Sequence, residues 1–141
     1  MSPRSAPRDA GPPYLLDTHI WFWYLLASDR LPGGLREALE GSSCELWLSP
    51  ISIWELALLH DHGRIELFGG PRSWVQDALR RVPLRDAPLS REVALRSREL
   101  ALPHRDPADR FLAATALVHG LTLMTVNDRL READWLPTRS D

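Results

Sequence analysis

An α/β fold with a mostly parallel central sheet flanked by helices is the architecture that this sequence predicts. Short apolar runs alternate with amphipathic segments along the chain, which is the pattern of parallel strands joined by crossover helices. Helix-start signals such as Ser49-Pro50 and Asp106-Pro107 follow several of these runs. The chain has 141 residues, of which 44% are hydrophobic, so it can form one domain with its own core.

We divide the chain into a disordered lead-in at 1–13, one domain at 14–136 and a C-terminal tail at 137–141. The lead-in is rich in Pro, Arg and Ser and lacks an apolar stretch of the kind that a secretory signal needs. Apolar runs predict strands at 14–16, 45–48, 82–88 and 121–126, with a further extended piece at 64–68. Helical patterns cover 19–27, with Thr18 as its cap, and 31–40, 50–62, 71–81, 90–100, 106–120 and 127–133.

The basic residues are unusual, because all 17 are arginine and the chain contains no lysine. This excludes mechanisms that require a lysine, such as P-loop phosphate binding and Schiff-base chemistry. The formal net charge is −2, so a nucleic-acid substrate would need a local basic patch or a bound metal. The single cysteine and the lack of a membrane-length apolar run lead us to expect a cytoplasmic protein without a membrane partner.

Four acidic residues fall where a parallel sheet places its ligands, at the carboxyl ends of the strands. Asp17 and Asp128 follow predicted strands, whereas Glu55 and Asp109 lie early in helices that follow loops. Carboxylates gathered at one edge repel each other, and a divalent cation removes that repulsion. Their hard oxygen atoms favour Mg²⁺, with Mn²⁺ as the alternative. Asp106 is fully explained as a helix cap.

An aromatic run at 21–24 (WFWY) is apolar on every side of its predicted helix. Such a helix is buried or lies in an interface. We therefore expect most of these side chains in the core, with one or two available to a dimer or partner groove. Trp47 and Trp54 are expected in the core.

Four blocks of the sequence resemble PIN-domain nucleases, in particular toxins of the VapC type. They are LLDTHIW at 15–21, SIWEL at 52–56, HRDPADRFLAA at 104–114 and TVND at 125–128. Their order and separation agree with that family, and the similarity covers nearly the whole chain after Pro13. One departure is Ala108, where related chains show an aromatic residue. The acids of the motif are retained, so we do not expect this departure to affect the chemistry.

The resemblance implies a PIN-like three-layer sandwich and a Mg²⁺- or Mn²⁺-dependent endoribonuclease that cleaves RNA with a metal-activated water. It also implies a toxin–antitoxin module with a cognate antitoxin, and a homodimer or a toxin–antitoxin hetero-oligomer. By position, the core metal-site acids are Asp17, Glu55 and Asp109, and the fourth acid is Asp128. The supporting or substrate-contacting residues are Thr125, whose hydroxyl lies near the metal, Asn127 and Arg110.

Two other classes compete with this interpretation. An acid-rich phosphotransfer domain would need either a receiver-type lysine or an Asp-x-Asp motif, and Asp17 is instead followed by Thr18 and His19. A catalytically inactive PIN-like module that binds protein or RNA is the second alternative. A metal titration distinguishes it from the nuclease, because the inactive module would bind no cation near Asp17 and Asp109.

Overall fold

A computed structural model of the protein describes residues 11–141 except positions 42 and 104, so most of the predicted lead-in lies outside the described residues. The sheet confirms the predicted α/β class. All of its neighbouring strands are parallel, in the order β3-β2-β1-β4-β5. The strands are β1 (Tyr14–Leu16), β2 (Leu46–Leu48), β3 (Arg85–Asp86), β4 (Thr122–Met124) and β5 (Thr138–Arg139).

Helices connect the first four strands and cover both faces of the sheet. Serine or acidic caps begin several of them: the hydroxyls of Ser49 and Ser90 and the carboxylate of Asp106 accept backbone N–H groups of the following turn. The helices are α1 (Thr18–Leu25), α2 (Gly33–Glu40), α3 (Pro50–Asp61), α4 (Pro71–Arg81), α5 (Arg91–Glu99), α6 (Pro107–His119) and α7 (Asp128–Arg131).

Two hydrophobic cores lie on opposite faces of the sheet, because successive side chains of a strand alternate in direction. Leu16 packs into the core formed with α1, α2 and α4. Its neighbour Leu15 packs into the core formed with α6 and α7. The helix–sheet–helix arrangement is the predicted three-layer sandwich.

Some local predictions differ from the structure. Thr18 is the first residue of α1 and Asp17 is its cap, while residues 64–68 form turns and irregular backbone instead of an extended piece. The segment expected to be a tail contains β5, whose two residues are too few to show a strand pattern in sequence. The placement of Trp54 in the core is wrong, because its side chain is 49% exposed.

The aromatic run is buried in its first half. Trp21 is completely buried and Phe22 nearly so, whereas Trp23 and Tyr24 are half-buried and pack against the same core. Trp74 of α4 packs edge-on against Trp21, with ring centroids 6.0 Å apart. The run therefore fixes α1 and α4 on the same face of the sheet. No helix among the described residues is both long and apolar enough to span a membrane.

Leu15 lies in the central strand and is completely buried. Leu15→Ala should lower the free energy of unfolding by about 2–5 kcal/mol, because truncation removes apolar contacts and leaves a cavity. Leu95→Ala is the matched control, since Leu95 is 62% exposed, and it should change stability by less than about 0.5 kcal/mol. Urea unfolding measures both values. Equal effects at the two positions would contradict the assigned core.

Candidate active site

The carboxylate of Asp17 is held at the carboxyl end of β1, where its side chain is only 8% exposed. Leu16 of β1 lies opposite Met124 of β4, so the residues that follow, Asp17 and Thr125, are neighbours. The Thr125 hydroxyl donates to Oδ2 of Asp17 at 2.6 Å, and the backbone N–H of Thr18 donates to Oδ1 at 2.7 Å. Both oxygens are thereby fixed in direction.

Asp109 is held in the first turn of α6, where its side chain is 6% exposed. The side-chain amide of Asn127 donates to its Oδ2 at 3.1 Å. The backbone N–H of Asn127 in turn donates to the hydroxyl oxygen of Thr125 at 3.0 Å. A continuous hydrogen-bonded chain therefore runs from Asp17 through Thr125 and Asn127 to Asp109.

Both ends of this chain face one cavity of about 350 Å³. Glu55, from the second turn of α3, also lines it, so the structure brings together three of the four predicted acids. The other lining side chains are Asp106, His19, Arg30, Trp23, Ile20, Val126 and Asn127.

Burial makes the negative charge in this cavity costly. Burial raises the pKa of Asp17, and the hydrogen bond from Thr125 only partly opposes it. Burial likewise raises the pKa of Glu55, and the charges of Asp17 and Asp106 add to the effect. Within the described part of the chain, neither Asp17 nor Glu55 forms an ion pair with an arginine or histidine. Asp17 and Glu55 thus face the cavity without an ion-pair partner among the described residues, although the charge of His19 lowers the pKa of each and partly opposes the effect of burial.

Comparison with known proteins identifies the family. A family model described as PIN domain matches residues 14–136. This chain belongs to the PIN-domain family. It is 38% identical over 120 residues to ribonuclease VapC22 of Mycobacterium tuberculosis, a similarity that covers 83% of this chain and 88% of that relative. The similarity confirms the VapC-type resemblance seen in the sequence blocks.

Solved structures share the same fold at low identity. VapBC2 from Rickettsia felis, bound to a DNA fragment from its promoter, superposes with a TM-score of 0.67 at 19% identity, over 89% of this chain and 96% of that chain. DNA-bound VapBC from Salmonella typhimurium gives a TM-score of 0.65 at 19% identity, over 92% and 98% of the two chains. These similarities confirm the PIN fold.

Two predicted site residues lie elsewhere in this PIN domain. Asp128 is exposed at the start of α7, and its carboxylate accepts a hydrogen bond from Arg131 at 3.1 Å. The guanidinium of Arg110 donates to three backbone carbonyls at and beyond the end of α5, those of residues 97, 100 and 102. The roles predicted for Asp128 and Arg110 in catalysis and substrate binding therefore stay predictions.

The cavity of the PIN domain also contains residues that the sequence did not assign to it. Asp106 caps α6 as predicted, accepting from the N–H groups of residues 108 and 109, and it lines the cavity as well. Its position three residues before Asp109, on the same helix turn, was the signal that could have indicated this. Arg30 lies in the loop between α1 and α2, and no local pattern links this loop to the acids. His19 and Trp23 reach the cavity from α1.

The pH dependence of stability tests the buried state of Asp17. Its pKa is raised from the ordinary value of 3.8, so the folded protein binds this proton more tightly than the unfolded chain does. In the absence of divalent cations, this group should therefore destabilise the fold progressively as the pH rises above 3.8 through the raised pKa. Asp17→Asn removes the charge and should make the metal-free protein more stable than the unaltered protein at neutral pH.

That stability difference should shrink as the pH is lowered toward the ordinary value, as measured by thermal unfolding across a pH series. Asp61→Asn makes the same chemical change at an exposed position at the end of α3, and it should alter stability by less than about 0.5 kcal/mol at every pH. An Asp17→Asn protein that is less stable at neutral pH would show that its surroundings favour the charge.

Proposed function

We propose that this PIN domain is an endoribonuclease that depends on Mg²⁺ or Mn²⁺ and acts as the toxin of a toxin–antitoxin pair. The observation that carries the proposal is the coupling of Asp17 and Asp109, two buried carboxylates fixed at one cavity by the linked side chains of Thr125 and Asn127. The similarity to a protein named as a ribonuclease supports RNA as the substrate.

The residues present fit a hard divalent cation. The acids in the cavity offer oxygen ligands, and neither the buried Asp17 nor the half-buried Glu55 has an ion-pair partner among the described side chains. Nowhere in the described chain do three acid, histidine or cysteine side chains form a ready-made metal cluster. Mg²⁺ suits such an open site, because it binds through one or two carboxylates and keeps several waters. Asp17 and Asp109 would hold the ion directly and Glu55 through water.

When bound, the ion supplies Lewis-acid polarisation of the phosphate and lowers the pKa of a water molecule. The side chains of the protein position the reacting groups. Thr125 and Asn127 hold two carboxylates in fixed orientations, which avoids reorganisation during the reaction. Glu55 has a raised pKa and a half-buried side chain, so its carboxylate is suited to take the proton of the attacking water. The products would carry 5′-phosphate and 3′-hydroxyl ends.

An antitoxin protein is the proposed partner. Several solved structures with this fold belong to toxin–antitoxin systems, including a toxin–antitoxin complex from Klebsiella pneumoniae and VapBC-1 from nontypeable Haemophilus influenzae. Their chains are covered almost completely by the alignment, at 96% each. We therefore propose that this chain works as the toxin subunit of such an assembly, as a homodimer or a hetero-oligomer with its antitoxin.

A non-catalytic PIN-like module that binds RNA or protein is the second candidate. The observation in its favour is that the acids among the described residues share a cavity without forming a metal cluster. The two candidates differ in cation binding, because the inactive module should bind neither Mg²⁺ nor Mn²⁺ at this cavity.

Cleavage of single-stranded RNA tests the catalytic assignment. Asn127→Ala should reduce the rate by about 10- to 100-fold, because Asp109 loses the amide that orients it. Asp17→Asn should reduce it further, since it removes a proposed ligand. Asp61→Asn, the exposed control, should cleave at the rate of the unaltered protein. Undiminished, cation-dependent cleavage by a folded Asp17→Asn protein would refute the proposed role of this carboxylate.

Stabilisation by cations tests the metal site independently of activity. Mg²⁺ at about 100 times its dissociation constant should raise the free energy of unfolding by about 2.7 kcal/mol, because it binds only the folded site. The same addition should leave the stability of Asp17→Asn unchanged and should stabilise Asp61→Asn fully. Thermal unfolding with and without Mg²⁺ measures the effect. Equal stabilisation of all three proteins would place the cation elsewhere.

A further inference from the structure

A second, basic pocket lies beside the acidic cavity. Its volume is about 580 Å³, and three arginines line it together with two apolar residues. Arg98 comes from the end of α5, Arg105 from the loop before α6 and Arg110 from the first turns of α6. Leu102 and Pro103 provide the apolar part of the wall. The protein as a whole has a formal net charge of −2, so this pocket is a local concentration of positive charge.

Residues adjacent in the sequence line the basic pocket and the acidic cavity. Arg105 lines the basic pocket, whereas the next residue, Asp106, lines the acidic cavity. The same division recurs one turn later, where Asp109 faces the acidic cavity and Arg110 lines the basic pocket. The start of α6 therefore presents carboxylates to one side and guanidinium groups to the other, and a chain molecule lying over this turn would contact both.

Two of the three arginines have charges that local acids do not neutralise. Arg98 and Arg105 are exposed, and neither forms an ion pair with a described residue. The two glutamates of α5 pair with Arg96 instead, with nitrogen–oxygen distances of 3.7 and 3.9 Å. Arg110 adds a fixed positive charge, because three backbone carbonyls hold its guanidinium in place.

We infer that this pocket, with Arg98 and Arg105 as the contacting groups, binds a backbone phosphate of the RNA next to the one that is cleaved. The inference rests on the proposed ribonuclease function and extends it with a substrate-binding site. Guanidinium groups match the geometry of phosphate oxygens and can donate two parallel hydrogen bonds to them. Phosphates repeat regularly along RNA. A strand that places one phosphate at the acidic cavity therefore brings a neighbouring phosphate over the first turn of α6 to the basic pocket.

This site also provides the electrostatic attraction that RNA needs to approach an acidic cavity. The acidic cavity repels the polyanionic substrate unless a cation is bound, and the low net charge provides no general attraction. Positive charge beside the cavity attracts the strand from outside the group of carboxylates that would bind the cation. The pocket thus determines affinity and register along the strand, whereas the acids determine where the bond is broken.

Binding of RNA by an arginine-pocket variant tests this inference. The double variant Arg98→Ala/Arg105→Ala is compared with Arg64→Ala/Arg91→Ala, which removes two exposed arginines that line neither cavity and that form no ion pair with a described residue. Both are made in the Asp17→Asn background so that the probe, a mixed-sequence single-stranded RNA, stays intact. Arg110 is left unchanged because its hydrogen bonds support the fold.

We expect the pocket variant to bind the RNA about three- to thirtyfold more weakly than its Asp17→Asn parent, as the removal of two exposed positive charges allows. The slope of log affinity against log salt should fall in magnitude by about 0.7 for each phosphate that the variant no longer neutralises. The control variant should keep both the affinity and the slope of the parent. Circular dichroism verifies that all variants are folded.

Two results would overturn the inference, and they are distinguishable. If the pocket and control variants lose affinity equally, or neither does, the pocket is not a phosphate site, although cleavage by the unaltered protein would leave the proposed function standing. If the unaltered protein neither cleaves nor binds RNA with Mg²⁺ or Mn²⁺ present, the proposed function fails and the phosphate site fails with it.

Discussion

The site depends on one buried carboxylate at the end of the central strand. Asp17 follows β1, the third of five parallel strands, and therefore sits where the sheet and the starts of α1 and α6 meet. Two short hydrogen bonds fix both of its carboxylate oxygens, and no described arginine or histidine forms an ion pair with it. A buried carboxylate without an ion-pair partner has an affinity for a cation, because a bound ion offsets the free energy that burying the negative charge costs.

Opposite charges lie on the two sides of the first turn of α6. The first turn of this helix separates the carboxylates of Asp106 and Asp109 from the guanidinium groups of Arg105 and Arg110. The acids alone would repel a polyanion, and the arginines alone would bind it without cleaving it. Their separation across one turn is a short-range arrangement that the overall charge of −2 does not reveal.

Features fixed by the local backbone could be predicted from the sequence, and features fixed by distant packing could not. Asp17 and Asp109 were predictable because a strand end and the first turn of a helix place them, and parallel strands bring such positions to one edge. Arg30 was not, because it reaches the cavity from a loop without a pattern. Trp54 was misplaced because α3 is apolar on most sides, so periodicity does not show which face points outward. Asp128 follows β4 as expected, yet it pairs locally with Arg131.

The most direct measurement of the central claim is the position of Mn²⁺ in crystals of the protein, found from its anomalous scattering. Cation binding at the carboxyl edge of the sheet predicts a peak between the carboxylates of Asp17 and Asp109, with Glu55 near enough to reach it through water. A peak only at exposed acids such as Asp61, or no peak at saturating Mn²⁺, would contradict the account.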